Sequence, residues 1–182
     1  MNHTRLLISL TTLLWAFTFV SCSHYNVVKT DIRPFKSIYV HTVTNQDFAP
    51  NIHTLFQAQI RRTILRDDRL SLSEDPQDAD AQLYITIDDY KRNVNTRASK
   101  DPGRFNSLNL GLAITVSLFD NNKKSYLLEK NSLEVNEFLF VEPSSTLLMH
   151  REMEYQILPK ITKDMSNKII ELILSDWPES RN

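Results

Sequence analysis

Between residues 108 and 118 every second position is apolar: Leu108, Leu110, Leu112, Ile114, Val116 and Leu118. Successive side chains of a strand point to opposite faces, so this period of two predicts a strand with one buried and one polar face. Leu83, Ile85 and Ile87 repeat the pattern, with Tyr84, Thr86, Asp88 and Tyr90 opposite. Between these two strands, residues 91–106 are polar and read as the far end of a long hairpin. Residues 36–43 alternate and predict a further strand; residues 69–73 predict a short one. Residues 125–141 predict another, whose pattern slips between Val135 and Phe138 and so suggests a bulge there. Turn chemistry occupies 45–50 and 120–124, and the acidic stretch 74–80 is a loop.

Two segments carry the helical period instead. Ile52, Leu55, Phe56, Ile60 and Ile64 form a stripe on a helix starting near Pro50 or Asn51 and ending by Asp67 or Asp68. Leu158, Ile161, Met165, Ile169, Leu172 and Ile173 form a second stripe that Pro178 stops. Proline lacks an N–H and clashes with the carbonyl four residues back, so Pro159 is expected in the first turn of this helix. Residues 147–156 then make a separate or kinked helical piece. Strands with one apolar face and helices with one apolar stripe predict an α+β fold, a two-layer sandwich. Its sheet is expected to be mixed and mostly antiparallel, with four to five strands and two main helices on one face. The first strand–helix–strand unit is expected to be a crossover joining parallel strands.

The N-terminus reads differently. Arg5 precedes an apolar run from Leu6 to Val20, too short to span a bilayer, and the polar Ser21, Ser23 and His24 surround Cys22. This is a secretory signal, and Phe19-Val20-Ser21-Cys22 resembles the bacterial lipobox, in which the cysteine becomes the acylated first residue. The alternatives are an uncleaved anchor or a plain exported protein with a free thiol. The expected organisation is a signal peptide (1–21), a tether (22–35), one α+β domain (36–177) and a short tail (178–182). Removing Arg5 with the signal leaves 20 basic against 22 acidic side chains, a balance of −2. That balance suggests no general nucleic-acid or membrane-surface binder.

Composition excludes much chemistry. Cys22 is the single cysteine, so no internal disulfide and no cysteine-based metal site can form. Gly103 and Gly111 are the only glycines, which removes the P-loop and dinucleotide fingerprints and leaves no cofactor motif. His3, His24, His41, His53 and His150 follow no metal spacing. Asp75, Asp78 and Asp80 lack the glycine and glutamate of a calcium loop and read as a solvated turn with a cap. Asp88 and Asp89 are neighbours on a strand, expected on opposite faces and therefore unable to form an acid–base pair. The hairpin is the exception to this quiet surface. Lys91, Arg92, Arg97, Lys100 and Arg104 face a single acid, Asp101. The segment is either a solvated tip whose charges deter edge pairing or a contact for anionic, phosphorylated ligands.

Several stretches together resemble the lipopolysaccharide-assembly lipoprotein family LptE. They are Cys22, Phe35-Lys36-Ser37-Ile38-Tyr39-Val40, the helix holding Leu55 to Ile64, and Asp68-Arg69-Leu70. Ala79-Asp80-Ala81-Gln82-Leu83, Ile85-Thr86-Ile87-Asp88-Asp89-Tyr90 and Tyr155-Gln156-Ile157-Leu158-Pro159 continue the likeness up to Trp177. The resemblance implies a non-enzymatic lipoprotein of the outer membrane, lipid-anchored and facing the periplasm. It also implies a large β-barrel partner, LptD-like, whose lumen the lipoprotein partly fills, and lipopolysaccharide as the cargo. The five hairpin cations would then meet lipopolysaccharide phosphates. The rival reading is another outer-membrane lipoprotein, such as an activator of peptidoglycan synthases; a periplasmic enzyme is the third.

The leader makes its own prediction. Cleavage after Ser21 and acylation of Cys22 would give a firm anchor, because several chains hold where one holds only marginally. Mass spectrometry of the N-terminal peptide should find a lipid-modified Cys22; an unmodified thiol or a cut elsewhere would refute it.

Overall fold

The computed structural model describes residues 34–47, 52–98, 101–140 and 147–175, with the backbone alone for 95–98, 101–106 and 147–151. The segment expected to be a signal peptide (1–21), Cys22, nearly all of the expected tether, Lys100 and the expected tail lie outside the described residues. Six strands form one sheet: β1 (Ser37–Val40), β2 (Thr44–Asn45), β3 (Ser71–Leu72), β4 (Ala81–Ala98), β5 (Asp101–Asp120) and β6 (Ser125–Phe140). The described residues also form two helices, α1 (Ile52–Arg66) and α2 (Leu147–Leu174). The strand order is β3-β1-β4-β5-β6, with β2 beside β4. β1 runs parallel to β3 and β4, whereas β4, β5 and β6 are successively antiparallel. The α+β two-layer arrangement is as expected, and so is the parallel pairing of β1 with β3 across α1. The two-residue β2 lies at the edge of what was read as a turn, too short to leave a periodic signal.

Burial follows the alternation. Leu108, Leu110, Leu112, Ile114, Val116 and Leu118 of β5 are all fully buried, as are Leu83 and Ile87 of β4. They meet Phe56, Ile60 and Ile64 of α1 and Ile161, Met165, Ile169 and Ile173 of α2 in a single core. Truncating such a leucine to alanine costs about 2–5 kcal/mol, so no one surface contact rivals this layer.

Three points extend or correct the expectations. First, residues 91–106 are the far end of a long hairpin, as expected, and are themselves paired strand: β4 continues to Ala98 and β5 resumes at Asp101. Main-chain pairing needs no apolar side chains, so the ladder runs on past the core. Second, the bulge in β6 does not fall between Val135 and Phe138, where pairing with β5 is unbroken. The extra residues lie opposite Val116 to Phe119, and Lys130 there takes a positive φ of 50°. The sequence pattern slips at 135–138 because Glu137 occupies a core-side position, where it pairs with Lys160 of α2, while Phe138 points to the uncovered side and is 58% exposed. Third, α2 is one continuous helix with Pro159 inside it. Proline costs a helix interior about 3 kcal/mol. Here Pro159 is exposed, whereas Leu158 and Ile161 beside it are buried. The buried Thr162 donates to the carbonyls of both Leu158 and Pro159, at 3.0 and 3.1 Å. Packing on either side of the proline therefore holds the helix through it.

The start of the sheet is fastened by Asp80. Its Oδ2 accepts the backbone N–H groups of Lys36 and Ser37, each at 2.9 Å, and Ser37 Oγ accepts the Asp80 N–H at 2.8 Å. Asn121 N–H donates to the Asp80 carbonyl, and its side-chain amide donates to the carbonyls of Pro76 and Ala79, which ties in the β5–β6 turn. The expected cap in this acidic loop is thus a clasp between β1 and β4. The amides of Ser37 and then Lys36 hold the Asp80 carboxyl below the ordinary carboxylate range. A depressed folded pKa means the contribution is present above the unfolded value near 3.9 and is lost as pH falls through the folded one. Asp80→Asn should therefore cost about 1 kcal/mol at pH 7, discounted for partial exposure. In urea unfolding, the gap from wild type should narrow at pH 3; an equal gap at both pH values would contradict the clasp.

Candidate functional site

Among the described residues the sheet has helices on one side only, so the other side and the hairpin that leaves the core are the surfaces they leave for contact. A bulge at Asp88 shapes both. Pairing jumps from Ile87 opposite Ile114 to Asp89 opposite Ala113, leaving Asp88 as the extra residue. The parity of β4 flips there, and Tyr90, Arg92 and Val94 join the helix side, opposite Leu112, Leu110 and Leu108. The bulge also revises the reading of the two aspartates. Both engage the uncovered side: Thr115 Oγ1 donates to Asp88 at 2.8 Å, and Lys91 Nζ pairs with Asp89 at 3.1 Å. The expectation of opposite faces fails because it assumed unbroken alternation.

The hairpin cations therefore part company. Lys91, about half exposed, lies on the uncovered face, where the hydrogen bond to Asp89 pushes its ammonium pKa up. Arg92 lies on the helix side and its Nε donates to Glu154 of α2 at 2.9 Å. Tyr90 OH reaches the same carboxylate at 3.4 Å, and burial first, then the Glu154 charge, push the phenol pKa up. Arg97 and Arg104 lie on the paired ends of β4 and β5, further along the hairpin, and Lys100 falls outside the described residues. The base of the hairpin is thus bolted to α2 through Glu154.

A second group was missed. Tyr39 of β1, Gln82 of β4, Phe119 of β5 and Tyr126 of β6 occupy one row across the uncovered face. His41, just after β1, stacks on Tyr84 with ring centroids 4.1 Å apart and planes at 13°. Tyr39 meets His41 edge-on at 4.9 Å, and Phe119 meets Tyr126 edge-on at 5.3 Å. Gln82 joins the polar tips: its Oε1 accepts the Tyr84 hydroxyl and lies 2.8 Å from His41 Nε2, while its amide donates to Asn121 Oδ1. Burial, and then the neighbouring Tyr126, push the Tyr84 pKa up. The signal was present in sequence only as aromatic residues on polar strand faces; five rings from separate segments meet only after the sheet forms.

A shallow cleft of about 330 Å³ between the helices is lined by Gln59, Thr63, Arg66, Lys163, Asn167 and Glu171, among others. Its charges are mixed, and Arg69 at its rim is held by both oxygens of Asp67. Among the described residues, no three His, Cys, Asp or Glu side chains are placed to hold a metal ion. No described helix is long and apolar enough to cross a membrane.

The architecture is shared with solved bacterial proteins. Lipoprotein B from Nitrosomonas europaea shares it with a TM-score of 0.53 at 16% identity, over 79% of this chain and 84% of that one. A hypothetical protein from Chlamydia trachomatis does so with a TM-score of 0.53 at 11% identity, over 78% and 99%. At such identities the likeness concerns the fold alone. No curated protein sequence matches the chain. The chain belongs to the LptE family, described as lipopolysaccharide-assembly, which matches residues 35–173.

The bolt at Glu154 can be tested directly. Glu154→Ala should destabilise the domain by about 0.5–1 kcal/mol, as expected for a partly exposed pair. Hydrogen exchange should speed up at residues 90–94 and stay unchanged at 83–87, which the core holds. Uniform exchange in the variant would show that the pair does not anchor the hairpin.

Proposed function

We propose that this protein is a lipid-anchored outer-membrane lipoprotein, facing the periplasm, that assists lipopolysaccharide transport as the plug partner of a large LptD-like β-barrel. The observation that carries the reading is the family match, which spans the folded domain from the buried Phe35 to the buried Ile173. Physical properties support it. A domain of about 160 residues has a radius of gyration near 15 Å, and barrels wide enough to admit such a body are those of about 22 strands, which are typically plugged. A plug needs a rigid body with a polar exterior, because barrel lumens are polar. One continuous core behind polar outer positions meets that need. The protein works without catalysis or cofactor, and its anchor is the acylated Cys22.

In this reading the hairpin meets the phosphate groups of lipopolysaccharide through Lys91, Arg92, Arg97, Lys100 and Arg104. An ammonium has three donors and the Asp89 contact occupies one, so Lys91 can still donate to a phosphate. Arg92 plays a double part, because its pair with Glu154 also positions the hairpin.

Affinity purification of the full-length protein from detergent extract should recover a large outer-membrane β-barrel. Its depletion should lower the amount of correctly assembled barrel and the lipopolysaccharide at the cell surface. Recovery of a penicillin-binding protein instead, with normal surface lipopolysaccharide and altered cell-wall synthesis, would replace this function with that of a synthase activator.

A further inference from the structure

We infer that the uncovered face of the sheet is a saccharide platform, which takes the sugar portion of its ligand while the hairpin cations take the phosphates. The inference rests on the lipopolysaccharide reading above and adds a second site to it, remote from the basic tip.

The geometry has two parallel rows. The first is the aromatic row Tyr39, Gln82, Phe119 and Tyr126, with the His41–Tyr84 stack standing beside it. The second is a row of hydroxyls, Thr44, Thr86, Thr115 and Ser132, in register across β2, β4, β5 and β6. Thr44 and Thr86 are joined at 2.9 Å, and Thr115 donates to Asp88. Ser117 lies between the rows. Four strands at their usual spacing give each row a length of about 14 Å, and the rows are four residues, about 13 Å, apart along β4. The result is a floor of short polar side chains with rings along one side, large enough for a short oligosaccharide.

A sugar ring has one chemistry on its faces and another on its rim. Its C–H groups carry slight positive charge and settle on the negative face of an aromatic ring. Its hydroxyls, once desolvated, need donors and acceptors. Both demands are met here. Tyr84 and Tyr126 are 37% and 52% exposed, so ring surface is available. Thr, Ser, Asp88, Asp89 and Glu134 supply the polar contacts. The rings are also held in place before any ligand arrives, Tyr84 by the His41 stack and its bond to Gln82, which reduces the ordering cost of binding.

Other occupants fit less well. A lipid chain would want aliphatic surface, yet the large exposed apolar side chains of this face, among the described residues, are all aromatic: Tyr84, Tyr126, Phe138 and Phe140. A protein partner would favour an interface centre depleted in serine, aspartate and glutamate, the residue types that lie in and around this floor.

The test uses the full-length protein in detergent micelles and two separate probes: the delipidated oligosaccharide of lipopolysaccharide, and lipid A. Saturation-transfer NMR and calorimetry should detect binding of the oligosaccharide. Tyr84→Ala and Tyr126→Ala should each weaken it about tenfold, whereas Tyr84→Phe, which keeps the ring, should stay within about twofold. Lipid A affinity should be unchanged in all three. Circular dichroism checks that the exposed positions tolerate the changes; Tyr126, with its side chain half in solvent, provides the second variant if Tyr84→Ala unfolds. If lipid A binds and the oligosaccharide does not, or if the alanine variants bind it as wild type does, the platform is refuted while the proposed function stands. If the variants lose the barrel partner and keep the oligosaccharide, the face is a protein interface and the platform is likewise refuted. If the oligosaccharide binds with the expected ring dependence but barrel assembly and surface lipopolysaccharide do not depend on the protein, the platform stands and the proposed function falls.

Discussion

One constraint governs this molecule: the apolar half of the β4–β5 ladder must be covered, and only one side of it is apolar. Leu83, Ile85 and Ile87 sit opposite Leu118, Val116 and Ile114, and the stripe continues to Leu108. Burying it against α1 and α2 places it at the centre of the core cluster, where each Å² of apolar surface removed from water contributes about 25 cal/mol. The remaining features follow from serving that layer. The Asp80 clasp brings β1 alongside β4, so that Ile38 and Val40 complete the buried face. The Glu137–Lys160 pair and the Glu154–Arg92 pair fasten α2 at two places along the sheet, on either side of Pro159. Electrostatics here orients elements that hydrophobic burial has already committed to contact, which suits the modest worth of exposed pairs.

Much of the fold could be read from the chain because the layer writes a period into it. Strict alternation at 108–118 and the stripes Ile52 to Ile64 and Leu158 to Ile173 mark sheet and helices unambiguously. What escaped were places where a single residue broke the period for a tertiary reason. Asp88 shifts the parity of β4, and no local sequence rule marks an aspartate as a bulge. Glu137 stands on the core side because a lysine from a helix twenty-three residues later meets it. Pro159 persists within α2 because buried neighbours hold the turn and Thr162 bonds its carbonyl. Each exception is resolved by a partner remote in sequence, which a reading of neighbours cannot supply.

The candidate site was legible in part for the same reason. The basic run was visible as composition, since five cations against one acid is a local fact. How those cations are employed was not visible, because the Asp88 bulge sends Lys91 and Arg92 to different sides. The aromatic array left still less trace. Tyr39, His41, Tyr84, Phe119 and Tyr126 are spread over almost ninety positions and none is unusual where it stands. Their meeting is a product of strand order, which places β1, β4, β5 and β6 side by side.

The bulge also determines how the two sides of the sheet can divide their work. Without it, Tyr90 and Arg92 would continue the uncovered face and the hairpin base would have no link to α2. With it, one added residue sends an arginine towards the helices to anchor the hairpin and leaves Lys91 beside Asp88 and Asp89 on the open side. The open side is then a continuous polar surface running from the ring row, past the hydroxyl row, to the first hairpin cation. A ligand with sugars at one end and phosphates at the other would match that order of groups along β4. Along the core half of the ladder the covered side is packed against the helices, and beyond it Arg92 pairs with Glu154 of α2, so that side reaches a ligand only through the hairpin.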